Sequence, residues 1–403
     1  MATAASPAAA DRLPRDASPA APAGTLRAMA VARAEASGPA ARRQWERLVA
    51  SAAEPNPFFE PWYLLPSLAA LDPGGRVTLL VIERAGEWLG LLPLALERRY
   101  YGHPLPHWRG WLHANAFVGL PLIARGHEAE VWTALLAHLD RTAGTGLFLH
   151  LAGLPLASPV CAALAAVCAA QGRQAALVHR EERALLQSAS SPADYLDGAL
   201  SGKKRKELRR QHARLSELGE LAITRQRDAV GIEGWIAAFL ALEQAGWKGR
   251  AGSALASHPA TRSLFELALR EAAMQGRLER LTLALDGVPI ALLATFLAAP
   301  GAFSYKTAFD ERYARYSPGV LLQRENLALL DDPQIAWCDS CAAEDHPMID
   351  HLWRERRAIG RLSIAIGGRL RRGAFRLLAR AEGGTTAPGP SLEGGMAPAG
   401  DPA

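Results

Sequence analysis

The sequence has 403 residues, of which 49% are hydrophobic and 21% charged, which is typical of a globular protein with room for two or three domains. Four cysteines in a chain of this size do not make a disulfide framework, so we expect a reducing compartment. The net charge is +5, but residues 203–214 alone hold seven Lys and Arg against one Glu, or +6. The rest of the chain is therefore about neutral.

The two ends of the sequence have compositions that predict disorder. Residues 1–41 are rich in Ala and Pro, with charged residues where the apolar region of a secretory signal would lie, and residues 381–403 are a Gly/Pro/Ala tail. Two long uncharged runs, at about 142–172 and 287–305, are interrupted by Gly and Pro and predict strands and turns rather than membrane spans. We predict a soluble, cytoplasmic protein.

The patterns between these ends predict a similar order of elements twice. The first half gives three strands, a helix, a strand, a helix and a strand, at about 76–83, 87–100, 108–123, 127–143, 147–151, 159–170 and 174–187. The second half opens with three helices, at about 202–218, 235–244 and 263–275. It continues with a three-stranded meander, a helix, a strand, a helix and a strand, at 278–285, 288–297, 302–309, 318–330, 334–338, 348–358 and 361–366. This order predicts an α+β fold of two tandem modules, 42–190 and 191–380, each a mixed sheet flanked by helices.

The stretch 302–341 predicts an anion site between two parallel strands. Ser317 suits an N-cap, Pro318 the first helical position, and Gly319 a close approach of an anion to the backbone. Because the first N–H groups of a helix lack partners at the positive end of its dipole, a pyrophosphate binds well there. The predicted cofactor-binding residues are Arg315, Tyr316, Ser317, Gly319 and Val320.

Several short motifs resemble those of one enzyme family. They are Ser201-Gly-Lys-Lys-Arg-Lys-Glu-Leu-Arg-Arg210, Gly246-Trp-Lys-Gly249, Tyr305-Lys-Thr-Ala-Phe-Asp310, Tyr316-Ser-Pro-Gly-Val-Leu-Leu322 and Asp339-Ser-Cys-Ala342. Together with the meander they resemble the CelD-like acetyltransferases of the GNAT superfamily, relatives of the tandem FemAB-like proteins, over about 45–366. The loop Ser-Pro-Gly-Val departs from the Gly-x-Gly/Ala usual in GNAT enzymes. The resemblance implies a degenerate first module and an active, acyl-CoA-binding second one.

Within this interpretation, four residues are candidates for catalysis. Lys306, Asp310 and Asp339 lie toward the C-terminal ends of the two parallel strands, and Glu243 ends a preceding helix. Acyl transfer to an amine needs a group that takes the amine proton, a task that suits Asp339, Asp310 or Glu243; caps or salt bridges are the other explanation. Two further residues, Trp247 and Lys248, either cover the acceptor site or end a helix.

The basic segment 203–214 and the cysteines have alternative interpretations. The basic helix is either a solvated face or a contact for RNA, an anionic membrane or an acidic substrate. Cys338 and Cys341 with His346 and His351 have a spacing similar to a zinc knuckle. Because such a site needs a turn between its cysteines while Cys338 ends a predicted strand, we predict no metal.

The sequence thus predicts an acyl-CoA-dependent N-acyltransferase that uses acetyl-CoA or another acyl-CoA as co-substrate. The resemblance implies an amine acceptor such as an amino sugar or a cell-envelope or polysaccharide precursor. Two alternatives stay open: a FemAB-like aminoacyl-tRNA-dependent transferase, and a non-catalytic polyanion-binding module. The sequence leaves the oligomeric state open.

Overall fold

The computed structural model describes residues 24–383, which form one large mixed sheet flanked by helices. The strands are β1 Arg27–Val31, β2 Thr78–Arg84, β3 Glu87–Glu97, β4 His107–Gly110, β5 Leu122–Ile123, β6 Phe148–Pro155, β7 Ala175–Leu186, β8 Leu221–Gln226, β9 Leu278–Leu285, β10 Val288–Ala298, β11 Gly301–Phe309, β12 Trp337–Asp339 and β13 Glu355–Ala365. The predicted α+β fold with a mixed sheet and flanking helices is confirmed.

The helices begin at local sequence signals that the structure makes visible. They are α1 Arg33–Ala36, α2 Pro39–Ser51, α3 Pro61–Leu71, α4 Glu128–Thr142, α5 Pro159–Ala170, α6 Pro192–Ala199, α7 Gly202–Ser216, α8 Ile232–Ala245, α9 Trp247–Arg250, α10 Pro259–Met274, α11 Pro318–Asn326 and α12 Arg369–Gly383. Proline is tolerated at the first position of a helix because the N–H group that it lacks would be unpaired there. Ser158, Ser191 and Ser201 cap α5, α6 and α7 by accepting backbone N–H bonds.

The order of strands shows an exchange between the two halves of the chain. It runs β1-β2-β3-β4-β6-β13-β7-β12-β11-β10-β9-β8, with β5 paired to β3 at the side. The last strand, β13, lies between β6 and β7 and is antiparallel to both, while β7 pairs with β12. Each half of the sheet is completed by a strand from the other half of the chain. The boundary predicted at 190/191 therefore divides the chain but not the sheet.

The second half contains the predicted elements with one exception, and it adds α6, β8, α9 and α12, which the sequence did not predict. The meander β9-β10-β11 and the parallel pairing of β11 with β12 are present as predicted. The helix predicted at 348–358 is wrong, because turns occupy this segment until β13 starts at Glu355. Ile349, Leu352 and Trp353 carried the helical spacing, and the structure buries all three in a core beneath the turns. Their periodicity reflects burial rather than helix.

The predicted disordered segment 1–41 is wrong from residue 24 onward. Residues 24–41 contain β1, α1 and the start of α2, because β1 pairs with β2 and buries Val31, and α1 buries Ala36. Residues 1–23 and 384–403 lie outside the described residues, and the latter are most of the predicted C-terminal tail 381–403. No helix between residues 24 and 383 combines the length and the apolar character that crossing a bilayer requires.

Candidate active site

The site lies where two parallel strands of the second half separate. β11 pairs with β12 only from Gly301 to Phe303, although it continues beside β10 to Phe309. A shift of register in β10 between Ala294 and Thr295 leaves Tyr305 in a bulge of β11. Bulges redirect side chains and are frequent beside active sites, and separated strands leave a cleft. Tyr305 and Lys306 therefore lie at the opening between β11 and β12.

The first half of the chain supplies one wall of this cleft. The Tyr63 hydroxyl of α3 lies 3.1 Å from that of Tyr305 and donates to the carbonyl of Asn115. His113, in the segment between β4 and β5, stacks on Tyr63 with 6.0 Å between ring centroids. Burial lowers the pKa of His113 to about 3, with a further effect from Lys306. The neutral imidazole and the two phenols thus form a wall contributed by both halves.

Lys306 is a largely buried cation that makes no direct ion pair with any described residue. Its Nζ lies 5.4 Å from the ring centroid of Phe117 and 5.7 Å from that of Tyr305. Burial and the charge of Lys248 lower the pKa of Lys306 to about 8, against the opposing effect of Glu243. Among the residues that the structure describes, the Lys306 ammonium has no hydrogen bond and no ion pair. Because burying a charge is costly unless it is paired, this geometry suits a group that meets negative charge on a ligand.

Glu243 and Lys248 belong to the same charged cluster as Lys306. Glu243, at the end of α8, accepts hydrogen bonds from Lys248 Nζ at 3.2 Å and from the Leu255 N–H at 2.8 Å. Lys248 Nζ lies 5.9 Å from the ring centroid of Trp247, and the backbone N–H of Trp247 donates to the Glu311 carboxylate. The structure therefore brings together three of the predicted site residues on three different elements.

Asp339 lies at the centre of a buried ion pair instead. Its Oδ2 accepts from Arg183 of β7 at 2.7 Å and from Arg357 of β13 at 3.0 Å, and its Oδ1 accepts from the Cys341 N–H at 2.9 Å. Burial alone would raise the pKa of Asp339, but the two guanidiniums outweigh it and hold the pKa below its ordinary value. A fully buried carboxylate that is held by two guanidiniums is a poor proton acceptor, because both cations stabilise its charged form. The geometry favours a structural role for Asp339, which joins β12 to β7 and β13, over the predicted catalytic role.

Asp310 lies at the end of β11 and accepts from its near neighbour Arg312. The Arg312 backbone N–H donates to its Oδ1 at 2.9 Å and the guanidinium donates to its Oδ2 at 2.6 Å. The hydrogen bond from Arg312 is the largest effect and lowers the pKa of Asp310. This is the geometry of a cap for the 3₁₀ turn Glu311–Tyr316 rather than that of a base.

The predicted cofactor loop does precede a helix, with two features that the sequence did not indicate. Ser317 adopts the left-handed conformation with φ 52° and makes no capping side-chain bond to α11. A Cβ built on Gly319 would lie 2.9 Å from Cε and 3.0 Å from Sδ of Met348. Any larger residue at Gly319 must therefore displace Met348. The backbone N–H groups that start α11 are left without a serine cap, as an anion site requires.

The basic helix α7 lies beside this loop, a proximity that the sequence does not indicate. A cavity of about 240 Å³ separates the two elements and is lined by Glu207, Arg210, Gln211, Arg214, Arg315 and Tyr316. The Arg315 guanidinium stacks on the Tyr316 ring, 4.8 Å from its centroid. Three arginines from two elements thus face one space beside the start of α11.

The cysteine pair has a different environment from the one its spacing suggested. Cys338 lies buried in β12, and Cys341 follows with φ 53°. Within residues 24–383, no group of three or more His, Cys, Asp or Glu is arranged to hold a metal ion.

The central part of the chain matches a known family. Residues 202–346 match the acetyltransferase (GNAT) domain. This GNAT segment contains α7, Glu243, Lys306, the cofactor loop and Asp339, and so includes every predicted site residue. No curated protein matches the sequence.

Solved structures show a similar fold over most of the chain. FemX shares 10% sequence identity with a TM-score of 0.55, covering 84% of this chain and 98% of FemX. The C-terminal DUF2156 domain of an Agrobacterium fabrum protein described as a lysylphosphatidylglycerol synthetase shares 13% identity with a TM-score of 0.51, covering 85% of this chain and 95% of that domain. A conserved protein of unknown function from Bacteroides thetaiotaomicron shares 12% identity with a TM-score of 0.51, covering 80% and 97%. At these identities the similarity concerns the fold, and it extends well beyond the GNAT segment.

Proposed function

We propose that this protein is an N-acyltransferase that moves an acyl group from acyl-CoA to an amine in the cleft between β11 and β12. The observation that carries the proposal is the unpaired Lys306 ammonium at the opening of two separating strands, inside the GNAT segment. In this reaction the amine nitrogen bonds to the thioester carbonyl carbon, the C–S bond breaks, and CoA leaves as its thiol after taking up a proton. Negative charge develops on the carbonyl oxygen in between. A cation held in a dry site stabilises that charge.

We assign the other roles according to which groups face Lys306. Among the three predicted carboxylates, Glu243 shares the cluster of Lys306 and Lys248, whereas Asp339 and Asp310 are bonded to arginines elsewhere. We therefore propose Glu243 as the group that receives the amine proton, directly or through water. Lys248 bonds to Glu243 and lies over Trp247, and we propose that Lys248 and Trp247 contact the acceptor.

The cofactor phosphates are proposed to occupy the space between α7 and the start of α11. Arg210, Arg214 and Arg315 face this cavity, and the first N–H groups of α11 lack a serine cap. Arginines bind phosphate oxygens through two hydrogen bonds and a charge, so removing them should cost affinity. Only part of α7 takes part in this arrangement, because its first turn lines no part of the cavity.

Replacing Arg210 and Arg214 together with Gln should weaken CoA binding by about ten- to a hundredfold and reduce its dependence on salt. The matched control replaces Lys203 and Lys204 with Gln on the same helix, which removes the same charge outside the cavity. Isothermal titration with CoA at two salt concentrations measures both variants. Equal loss in the two variants would show a diffuse effect of charge and would remove the assignment of the cavity.

The acceptor class rests on the resemblance to CelD-like acetyltransferases. We propose an amine of an amino sugar or of another cell-envelope or polysaccharide precursor, modified in the cytoplasm. A single screen of amino sugars with acetyl-CoA, followed by detection of free thiol, tests this class. Product formation that requires both substrates is the expected result.

An aminoacyl-tRNA-dependent transferase is a second candidate, favoured by the fold similarity to FemX and by the basic charge of α7. A ligand that binds only the native state stabilises it by about 2.7 kcal/mol at a hundredfold excess over its Kd. Acetyl-CoA should therefore raise the melting temperature, whereas uncharged tRNA should not. Stabilisation by tRNA alone would overturn the CoA-dependent proposal, and stabilisation by neither would favour a non-catalytic module.

A further inference from the structure

The C-terminal helix α12 is held against the sheet by one of its faces. Phe375 and Ala379 are buried there, and the Phe375 ring lies 5.7 Å from that of Phe148 in β6. Arg372 donates to Asp140 at 2.8 Å, and Arg371 donates to the carbonyl of Gly144 at 2.9 Å. The orientation of the helix about its own axis is therefore fixed.

The opposite face of α12 turns apolar side chains to solvent. Leu370 is 93% exposed and Leu377 is 68% exposed, the former being more exposed than any other large hydrophobic side chain between residues 24 and 380. They are seven residues apart and so lie on one line of the helix, with the exposed Ala374 between them. Burial within this chain does not account for the two leucines.

Positive charge borders this apolar line. Residues 369–380 contain five arginines and no acidic residue. Helical geometry places Arg369, Arg376 and Arg380 along one flank of the line and Arg371 along the other. Within the described part of the chain, Arg369, Arg376 and Arg380 have no hydrogen bond or ion pair. They are free to meet an external anion.

We propose that α12 docks this protein on the surface of an anionic lipid bilayer, with the helix axis parallel to the membrane. Leu370 and Leu377 would enter the boundary between headgroups and acyl chains, and the flanking arginines would meet lipid phosphates. The arrangement fits this partner better than two others. An RNA phosphate backbone gains little from two exposed leucines, and a second copy of the same face would oppose like charges. The proposal does not depend on the proposed acyl transfer.

Co-sedimentation of the full chain with vesicles tests the proposal. Binding is expected to phosphatidylglycerol/phosphatidylcholine vesicles and not to pure phosphatidylcholine vesicles. Changing Leu370 and Leu377 together to Ser should lower the partition coefficient at least about tenfold, because two apolar side chains no longer enter the bilayer. The matched control changes Val230 and Val288 to Ser, two exposed apolar residues outside α12, and should bind as the parent does.

A second variant separates charge from burial of apolar groups. Changing Arg369, Arg376 and Arg380 to Gln should also weaken binding at least about tenfold and flatten its dependence on salt. Both variants should keep the parental circular dichroism spectrum and melting temperature, since none of the five side chains is buried. Parental vesicle binding by the leucine variant would overturn the proposal. So would a leucine-dependent dimer in sedimentation velocity without vesicles, or arginine-dependent binding to tRNA that exceeds binding to vesicles.

Discussion

Replacing Lys306 with Met should lower kcat by about 10²- to 10³-fold while the protein still binds CoA with nearly parental affinity. Met keeps the length of the side chain but removes the charge that would stabilise the oxyanion. The cofactor phosphates would contact Arg210, Arg214 and Arg315 instead, so binding in the ground state should survive. Steady-state kinetics and CoA titration of the two proteins give the comparison.

The Lys306→Arg variant provides the control for charge. Because the pKa of Lys306 is lowered to about 8, the parent should lose its cation, and with it activity, as the pH rises through that value. Arginine stays protonated there, so Lys306→Arg should retain part of the rate and should lack this decline. A Lys306→Met protein with parental kcat between pH 6 and 9 would exclude Lys306 from the mechanism.

The Lys306→Met change should also make the protein more stable. A lysine with a purely structural role would give the opposite result. Lys306 titrates at about 8 in the folded protein and at about 10.4 in an unfolded chain. Between these values the unfolded chain binds more protons, so the stability of the parent rises with pH. Below pH 8 the burial of the charged lysine costs its full amount. The gain in melting temperature of Lys306→Met should thus be largest below pH 8 and should shrink as the pH approaches 10.4.

Changing Asp339 to Asn should destabilise the protein by about 3–5 kcal/mol, the typical cost of removing one partner of a buried ion pair. Arg183 and Arg357 would then face each other without the carboxylate that binds both. A shift in the urea midpoint, compared at equal slope, measures the loss. Asp310→Asn is the matched control, because its partner Arg312 is exposed and solvent-exposed ion pairs add little to stability.

The two roles of Asp339 give opposite outcomes in this experiment. If Asp339 were the catalytic base, the Asn variant would keep its stability, lose turnover, and regain part of it at high pH where an amine acceptor is already deprotonated. The ion-pair role predicts a large loss of stability with no such recovery. A stable Asp339→Asn protein would therefore contradict the assignment made from the geometry.

The part of the site that lies within one local stretch was predictable from the sequence. Turn signals and residue patterns placed β11, α11 and β12 and the parallel pairing of the two strands, because Pro318 and the surrounding residues specify these elements locally. The pattern also placed Lys306 at the correct end of its strand. Periodicity failed at residues 348–358, where burial of Ile349 and Trp353 imitates a helix.

Contacts between distant segments were not predictable. Nothing in the sequence near Asp339 indicates Arg183 or Arg357, and nothing near Tyr305 indicates Tyr63 or His113. The two Asp339 pairs form because the sheet places β7 beside both β12 and β13, and strand order is not a local property of a sequence. Without that order, Asp339 resembles any carboxylate at the end of a strand.

The exchange of β13 also has a consequence for how the chain is made. β6 cannot acquire its second neighbour until β13 has left the ribosome, and Pro155 pairs with Ile359, about half the length of the chain later. The amino-terminal half is therefore synthesised with an open sheet edge, which long-range strand pairing closes slowly. Because each half provides the strand that the other lacks, separately expressed fragments divided near residue 190 have complementary edges, the property on which reconstitution of a split protein depends.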